Sequence, residues 1–216
     1  YRQKLIAANV SQVVIVLAAV PSFYEELLNR CLAAAEHQKL SVVIVMNKSD
    51  LVKESAQTLE RLRLYAELGY PVILLSAKLD ISPLRAALRG HTSVLVGQSG
   101  MGKSTIVNAL IPGADAATSE VSAAMDSGRH TTTHARLYHL DADSSLIDSP
   151  GMQEFGLHHL DEQEVAAGFR EFQSLIGNCR FHNCRHLVEP GCAVLEATMA
   201  GKIDSRRLGT FHKLVR

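Results

Sequence analysis

The sequence predicts a three-layer α/β/α domain followed by a small, mostly helical domain, and three observations predict it. Six apolar, β-branched runs recur before Gly151, separated by stretches with helical spacing. Four of these runs lack polar–apolar alternation, as expected of strands buried on both faces of a parallel sheet. Beyond Gly151 the runs stop, and an acidic helical stretch leads into a dense Cys/His cluster. The boundary falls near residue 157, giving domains 1–157 and 158–216.

Each element follows in order. "QVVIVLAAV" (12–20) ends before Pro21 and reads as a buried strand. "SFYEELLNRCLAAAEHQ" (22–38) has helical spacing and puts Cys31 on an apolar face, as packed core. "SVVIVMNK" (41–48) and "PVILLSAK" (71–78) are strands on either side of the helix "SAQTLERLRLYAELG" (55–69). The strand "TSVLVGQ" (92–98) runs into the helix "GKSTIVNALI" (102–111). Residues 113–134 are small and polar, and a loop of that length inside a domain calls for a function or for disorder. "ARLYHL" (135–140) alternates, which suits an edge or antiparallel strand, and "SSLIDSPG" (144–151) closes the series. Residues 161–176 and "AVLEATMAGKIDSRRLGTFHKLV" (193–215) both read as helical.

Composition bounds the function. With 216 residues, 47% apolar and 20% charged, the chain is a globular protein with room for one sizeable domain and an appendage. No apolar run approaches the about 20 residues that span a bilayer, so no membrane partner is expected. A net charge of zero does not argue for nucleic acid. The charge is uneven, however: from Cys179 onward, Arg180, Arg185, Lys202, Arg206, Arg207, Lys213 and Arg216 face Glu189, Glu196 and Asp204. On composition this basic tail reads as a solvated surface. The chain starts at Tyr1 without a signal-peptide pattern, so it is expected to lack something N-terminal. Four cysteines, three of them clustered near histidines, fit a metal in a reducing compartment, and a cytoplasmic location is expected.

"GQSGMGKS" (97–104) matches G-x-x-x-x-G-K-[ST] between a strand and a helix. Gly97, Gln98, Ser99, Gly100, Met101 and Gly102 would wrap backbone N–H groups around phosphate at the positive end of the helix. Lys103 would neutralise the β- and γ-phosphates, Ser104 would ligate Mg²⁺, and Thr105 would reach the α-phosphate. Upstream, Asn47, Lys48, Ser49 and Asp50 end a strand. A carboxylate at Asp50 accepts from both N1–H and the 2-amino group of guanine, whereas adenine would leave it unpaired. Lys48 would lie across the base plane, Asn47 would tie this loop to the phosphate loop, and Ser76, Ala77 and Lys78 would turn backbone N–H groups to the guanine oxygen. "DSPG" puts Asp148 at Mg²⁺ and the Gly151 N–H at the γ-phosphate. One of Thr131, Thr132 and Thr133 in "GRHTTTH" (128–134) would complete the metal shell, with Thr132 preferred.

These elements run in the order base reader, "SAK", phosphate loop, threonine loop, "DSPG". Rotation restores the usual GTPase series, which makes the chain a circular permutant. With "NKSDL", "SAK", "GQSGMGKSTIVNAL", "GRHTTT", "DSPGMQEFGL" and a C-x4-C-x-H-x5-C cluster, it resembles the circularly permuted, small-ribosomal-subunit-dependent GTPases, the RsgA or YjeQ family, almost throughout. The resemblance implies slow GTP hydrolysis to GDP and phosphate, stimulated by the small ribosomal subunit late in its maturation. It implies contact with that subunit's rRNA, and an N-terminal OB-fold domain that these residues do not include. A monomer is expected. Met152 stands where Ras-like enzymes carry the Gln that orients water, and Gly100 where potassium-dependent relatives carry Asn. Arg129, His130 and His134 are weak candidates for the missing role. An alternative is an RNA-binding zinc protein that holds GTP as a structural ligand; a P-loop ATPase or kinase is disfavoured by "NKSD".

Cys179, Cys184, His186 and Cys192 lie within 14 residues. Three thiolates and an imidazole suit one tetrahedral, structural Zn²⁺. A segment this short can hardly bury its own core, so the metal would supply its folding energy. His182 is a substitute ligand, set aside because the family spacing falls on His186.

Overall fold

Continuous Val/Ile-rich runs form strands here because both their faces are covered. In the computed structural model, which describes residues 9–114, 116, 135–148 and 160–215, β1 (Gln12–Ala18) is buried at all of its positions. β2 (Ser41–Asn47) and β4 (Thr92–Val96) are buried beyond their first residue. With β3 (Val72–Leu74), β5 (Arg136–His139) and β6 (Ser145–Asp148) they make one sheet, ordered β3-β2-β1-β4-β6-β5. All neighbours are parallel except β5, which runs antiparallel to β6 at the edge and is mostly exposed. That is the strand whose sequence alternates. β4, which precedes the phosphate loop, lies between β1 and β6, so the strand that comes fourth in the chain occupies a central place in the sheet.

Register brings the carboxyl ends together. Ala18 is opposite Asn47, Ile15 opposite Val96 and Leu95 opposite Asp148. Ligands of open parallel sheets bind beyond such ends. β3 is shorter than its apolar run because the chain turns away: after Leu75 N–H bonds to Met46 O, Ser76 bridges to Asp80. α2 (Val52–Glu67), α3 (Ser82–Ala87) and α4 (Lys103–Leu110) complete this unit. α3 is absent from the sequence reading; it has six residues with Pro83 in its first turn, too few for a periodic signal.

The second compact unit gathers α1 (Glu25–His37) with α5 (Glu162–Ala167), α6 (Arg170–Gln173), α7 (Ala193–Met199) and α8 (Ser205–Leu214). Its core is an aromatic triad: Phe169 stacks on Phe172 at 5.0 Å, and Phe211 meets them edge-on at 5.5 and 5.3 Å. α1 adds Ala33 and Ala34 to that core, and Cys31 is fully buried. Gly168 permits close approach, since a Cβ there would lie 2.7 Å from Ala33 Cα. The two stretches read as continuous helices are each interrupted. The first opens with a reciprocal cap, Asp161 and Glu164 accepting each other's backbone N–H at 2.8 Å, and breaks at Gly168–Phe169. The second stops at Gly201, which takes a φ of 73°, and restarts at Asp204, whose carboxylate accepts from Arg206 N–H.

The basic tail is less basic than its composition. Arg207 is 2% exposed; it donates to Glu171 Oε2 at 3.1 Å and to Asn29 Oδ1, and its guanidinium lies 4.3 Å above the Phe169 ring. Arg185 is paired with Glu162, and Arg206 with Asp204 at 3.0 Å.

Candidate nucleotide site and metal centre

Asn47 ends β2 with 2% exposure, and its amide joins three segments. Nδ2 donates to Met101 O at 3.0 Å, in the phosphate loop, and Oδ1 accepts from Ala77 N–H at 3.0 Å, in the "SAK" loop. Gly102 makes the approach possible. It sits at φ 93°, where glycine is strongly favoured, and a Cβ there would lie 2.3 Å from Asn47 Nδ2. Gly97 is likewise enforced from below, a Cβ meeting Val16 O at 2.5 Å. Gly100 also has positive φ, at 79°.

Around this joint stand the other sequence-predicted residues. Lys48, at φ 61°, stretches Nζ to Gly100 O at 2.7 Å and Val20 O at 2.8 Å. Burial, then neighbouring Lys78, pulls its pKa down. Ser49 N–H bonds to Leu75 O at 3.1 Å, which fixes the loop 47–50 against the "SAK" segment. Asp50 is exposed, and the Ser76 hydroxyl beside it holds its carboxyl below the usual range. It is therefore ionised and ready to accept. Ser76 and Ala77 are buried and Lys78 is exposed.

Gly102 caps α4, and no side chain caps the first turn, so N–H groups at that helix end have no side-chain acceptor. Ser104 and Thr105 lie in that turn, half-buried, while Met101 is buried and the Gln98 carbonyl accepts from its N–H. Ser99 is exposed. Lys103 folds back, Nζ donating to Gly97 O at 2.6 Å and Gln98 O at 3.1 Å. Burial lowers its pKa, opposed by Asp148. Asp148, 6% exposed at the end of β6, has its pKa raised by burial, with Lys103 and Arg136 acting against the rise. A desolvated carboxylate such as Asp148 is an oxygen donor of the kind that suits a hard cation such as Mg²⁺. Thr131, Thr132, Thr133, Arg129, His130, His134, Gly151 and Met152 lie outside the described residues.

The Cys/His cluster also comes together. The ligand atoms of Cys179, Cys184, His186 and Cys192 all lie within 4.8 Å of one another. Cys179 Sγ is 3.9 Å from Cys192 Sγ, and His186 Nδ1 is 3.6 and 3.4 Å from those two sulfurs. Thiolates about 2.3 Å from a tetrahedral zinc stand about 3.8 Å apart, so the donor set fits. Burial pushes the Cys184 thiol up to about 12 and raises Cys192 as well, a cost that a bound dication removes by displacing the proton.

Two supports of this centre escaped the sequence reading. Glu189 accepts from Arg185, Leu187 and Val188 N–H at 2.9, 2.8 and 3.0 Å. Burial works against its charge, but those bonds outweigh it and bring its pKa to about 2. His212 Nε2–H donates to His186 O at 2.8 Å, while His186 takes a φ of 59°. A Glu-Pro-Gly turn between ligands is the sequence signal that could have pointed to the first.

Comparison with known proteins agrees with this geometry. A family model described as RsgA GTPase matches residues 1–158. The small ribosomal subunit biogenesis GTPase RsgA of Nitrosospira multiformis is 58% identical over 214 residues, covering 99% of this chain and 68% of that protein. Among solved structures, YjeQ from Thermotoga maritima superposes with a TM-score of 0.78 at 31% identity, over 96% of this chain and 70% of that one. YloQ, described as a circularly permuted GTPase, gives 0.75 at 27% identity, over 96% and 67%. Among the described residues no helix is long and apolar enough to cross a membrane.

Proposed function

The chain belongs to the RsgA GTPase family, and on that premise we propose that the loops at the carboxyl ends of its strands bind GTP with Mg²⁺ and couple its hydrolysis to assembly of the small ribosomal subunit. The observation that carries this is Asn47, whose one amide holds the base-reading loop, the "SAK" loop and the phosphate loop together. Asp50 accepts from guanine N1–H and the 2-amino group, and the Ser76 hydroxyl keeps it ionised. Lys48, fixed by two carbonyls, covers the base plane. Because Asn47 Oδ1 takes the Ala77 N–H, the guanine oxygen falls to the Lys78 N–H.

Phosphate settles against the uncapped N–H groups of α4. Lys103 then exchanges its carbonyl partners for phosphate oxygens, which bear full charge and bind an ammonium more strongly. Ser104, Asp148 and Thr132 would hold Mg²⁺, which would supply neutralising charge to the phosphates. Gly151 N–H meets the γ-phosphate. Water attacks the γ-phosphorus, the bond to the bridging oxygen breaks, and GDP and phosphate leave. Met152 offers that water no hydrogen bond, so turnover in isolation is slow and the partner subunit completes the site. The Cys179, Cys184, His186 and Cys192 set holds one structural Zn²⁺, since a closed four-ligand set leaves no position for substrate. The protein acts as a monomer on the subunit's rRNA.

Multiple-turnover GTP hydrolysis, with and without purified small ribosomal subunits, tests the proposal. We expect slow turnover alone and clear acceleration with subunits. Equal rates would overturn the coupling.

A further inference from the structure

Arg180 and Phe181 stand in the segment between the first two cysteines of the metal cluster, and both are exposed. Phe181 is 41% exposed, whereas Phe23, Phe169, Phe172 and Phe211, the other phenylalanines among the described residues, are at most 3%. The backbone that carries this exposed ring is held in place. Cys184 N–H donates to Phe181 O at 3.2 Å, and Arg180 N–H to Gly191 O at 2.9 Å. Gly191, at φ 70°, lets the Arg180 stem lie against it, since a Cβ there would be 3.0 Å from Arg180 Cβ. The guanidinium carbon then sits 5.5 Å from the Phe181 ring centroid.

Charge separates Arg180 from its neighbours. Arg170, Arg185, Arg206 and Arg207 each pair with a carboxylate. Among the described residues, no carboxylate lies within ion-pair distance of Arg180. The exposed His182 and Asn183 follow directly. An exposed aromatic ring on a fixed backbone, a guanidinium with no carboxylate partner and two base-edge donors in a row are the parts that bind an unstacked nucleotide.

We propose that the Arg180–Phe181 knuckle binds single-stranded RNA, Phe181 stacking on one unpaired base and Arg180 contacting its phosphate. This rests on the small-subunit function proposed above and names the contact that the metal-bearing unit makes. The chain contains no tryptophan, so Phe181→Trp retains a stacking face and supplies a single tryptophan. Its emission should be quenched by small subunits and by an unstructured oligoribonucleotide. Phe181→Leu should weaken subunit binding roughly 5- to 100-fold, while Phe181→Tyr stays near the parent and zinc content and basal GTP hydrolysis stay unchanged. Arg180→Gln should lower the slope of log affinity against log salt by about 0.7 to 1.

Unquenched Trp emission at saturating subunit would overturn the proposal. So would a Leu variant that binds as well as the parent while Tyr binds worse, which would mark an apolar protein contact. Quenching by the oligoribonucleotide with no binding of subunits would uphold the RNA contact and remove the subunit function.

Discussion

The sheet unit and the cysteine-bearing unit are each stabilised by different means. In the first, β1, β2 and β4 bury nearly every side chain and share an unbroken ladder, so its stability is spread over many equivalent contacts. In the second, α5 to α8 are four to ten residues long, too short to be helical alone in water. Three phenylalanine rings, four clustered cysteine and histidine side chains and one buried arginine network replace area as the organising force. The first unit should therefore tolerate local damage, and the second should depend on a few irreplaceable groups.

Metal removal is the sharpest way to break that contrast. Structural zinc contributes on the order of 10 kcal/mol to folding of small sites. Chelation should abolish hydrogen-exchange protection of α7 and α8 while β1, β2 and β4 stay protected; equal loss in both units would erase the distinction. Next in size is Asn47→Ala, which strands the Ala77 N–H and the Met101 carbonyl at a buried joint. An unpaired buried group costs about 1–3 kcal/mol, so GTP affinity by calorimetry should fall roughly 5- to 160-fold with zinc content unchanged. The smallest effect concerns Glu189, whose carboxyl is held at about 2 against an ordinary value of 4.5. A depressed carboxyl stabilises the fold above its unfolded pKa and loses that contribution as pH falls toward its folded one. Between about pH 4.5 and 2 the metal loop should loosen, and Glu189→Gln should flatten that dependence in circular dichroism of the second unit.

The same contrast explains what could be read from residues alone. Val13–Ala18 and Val42–Met46 announce their strands because burial on both faces demands apolar side chains throughout. The meeting of residues 47–50 with residues 97–102 is equally plain, since Gly102 and Asn47 are needed for a close contact that other side chains would block. The clustering of Cys179, Cys184, His186 and Cys192 is visible through their spacing. Arg207 was not visible: an arginine is written identically whether it faces water or lies over Phe169, and only Glu171 and Asn29, distant in sequence, decide between them. α3 and the breaks at Phe169 and Gly201 stayed hidden because segments of a few residues carry no period.

The helix α1 lies in the chain between two central strands, yet its alanines complete the aromatic core formed by α5 to α8. During synthesis it emerges long before those helices exist. Until then Ala33 and Ala34 have no permanent cover, and the nascent chain must shield them or risk association with other chains. A cut near residue 157 would likewise deprive the C-terminal piece of one wall, so the two halves should recover their native core when expressed together rather than apart.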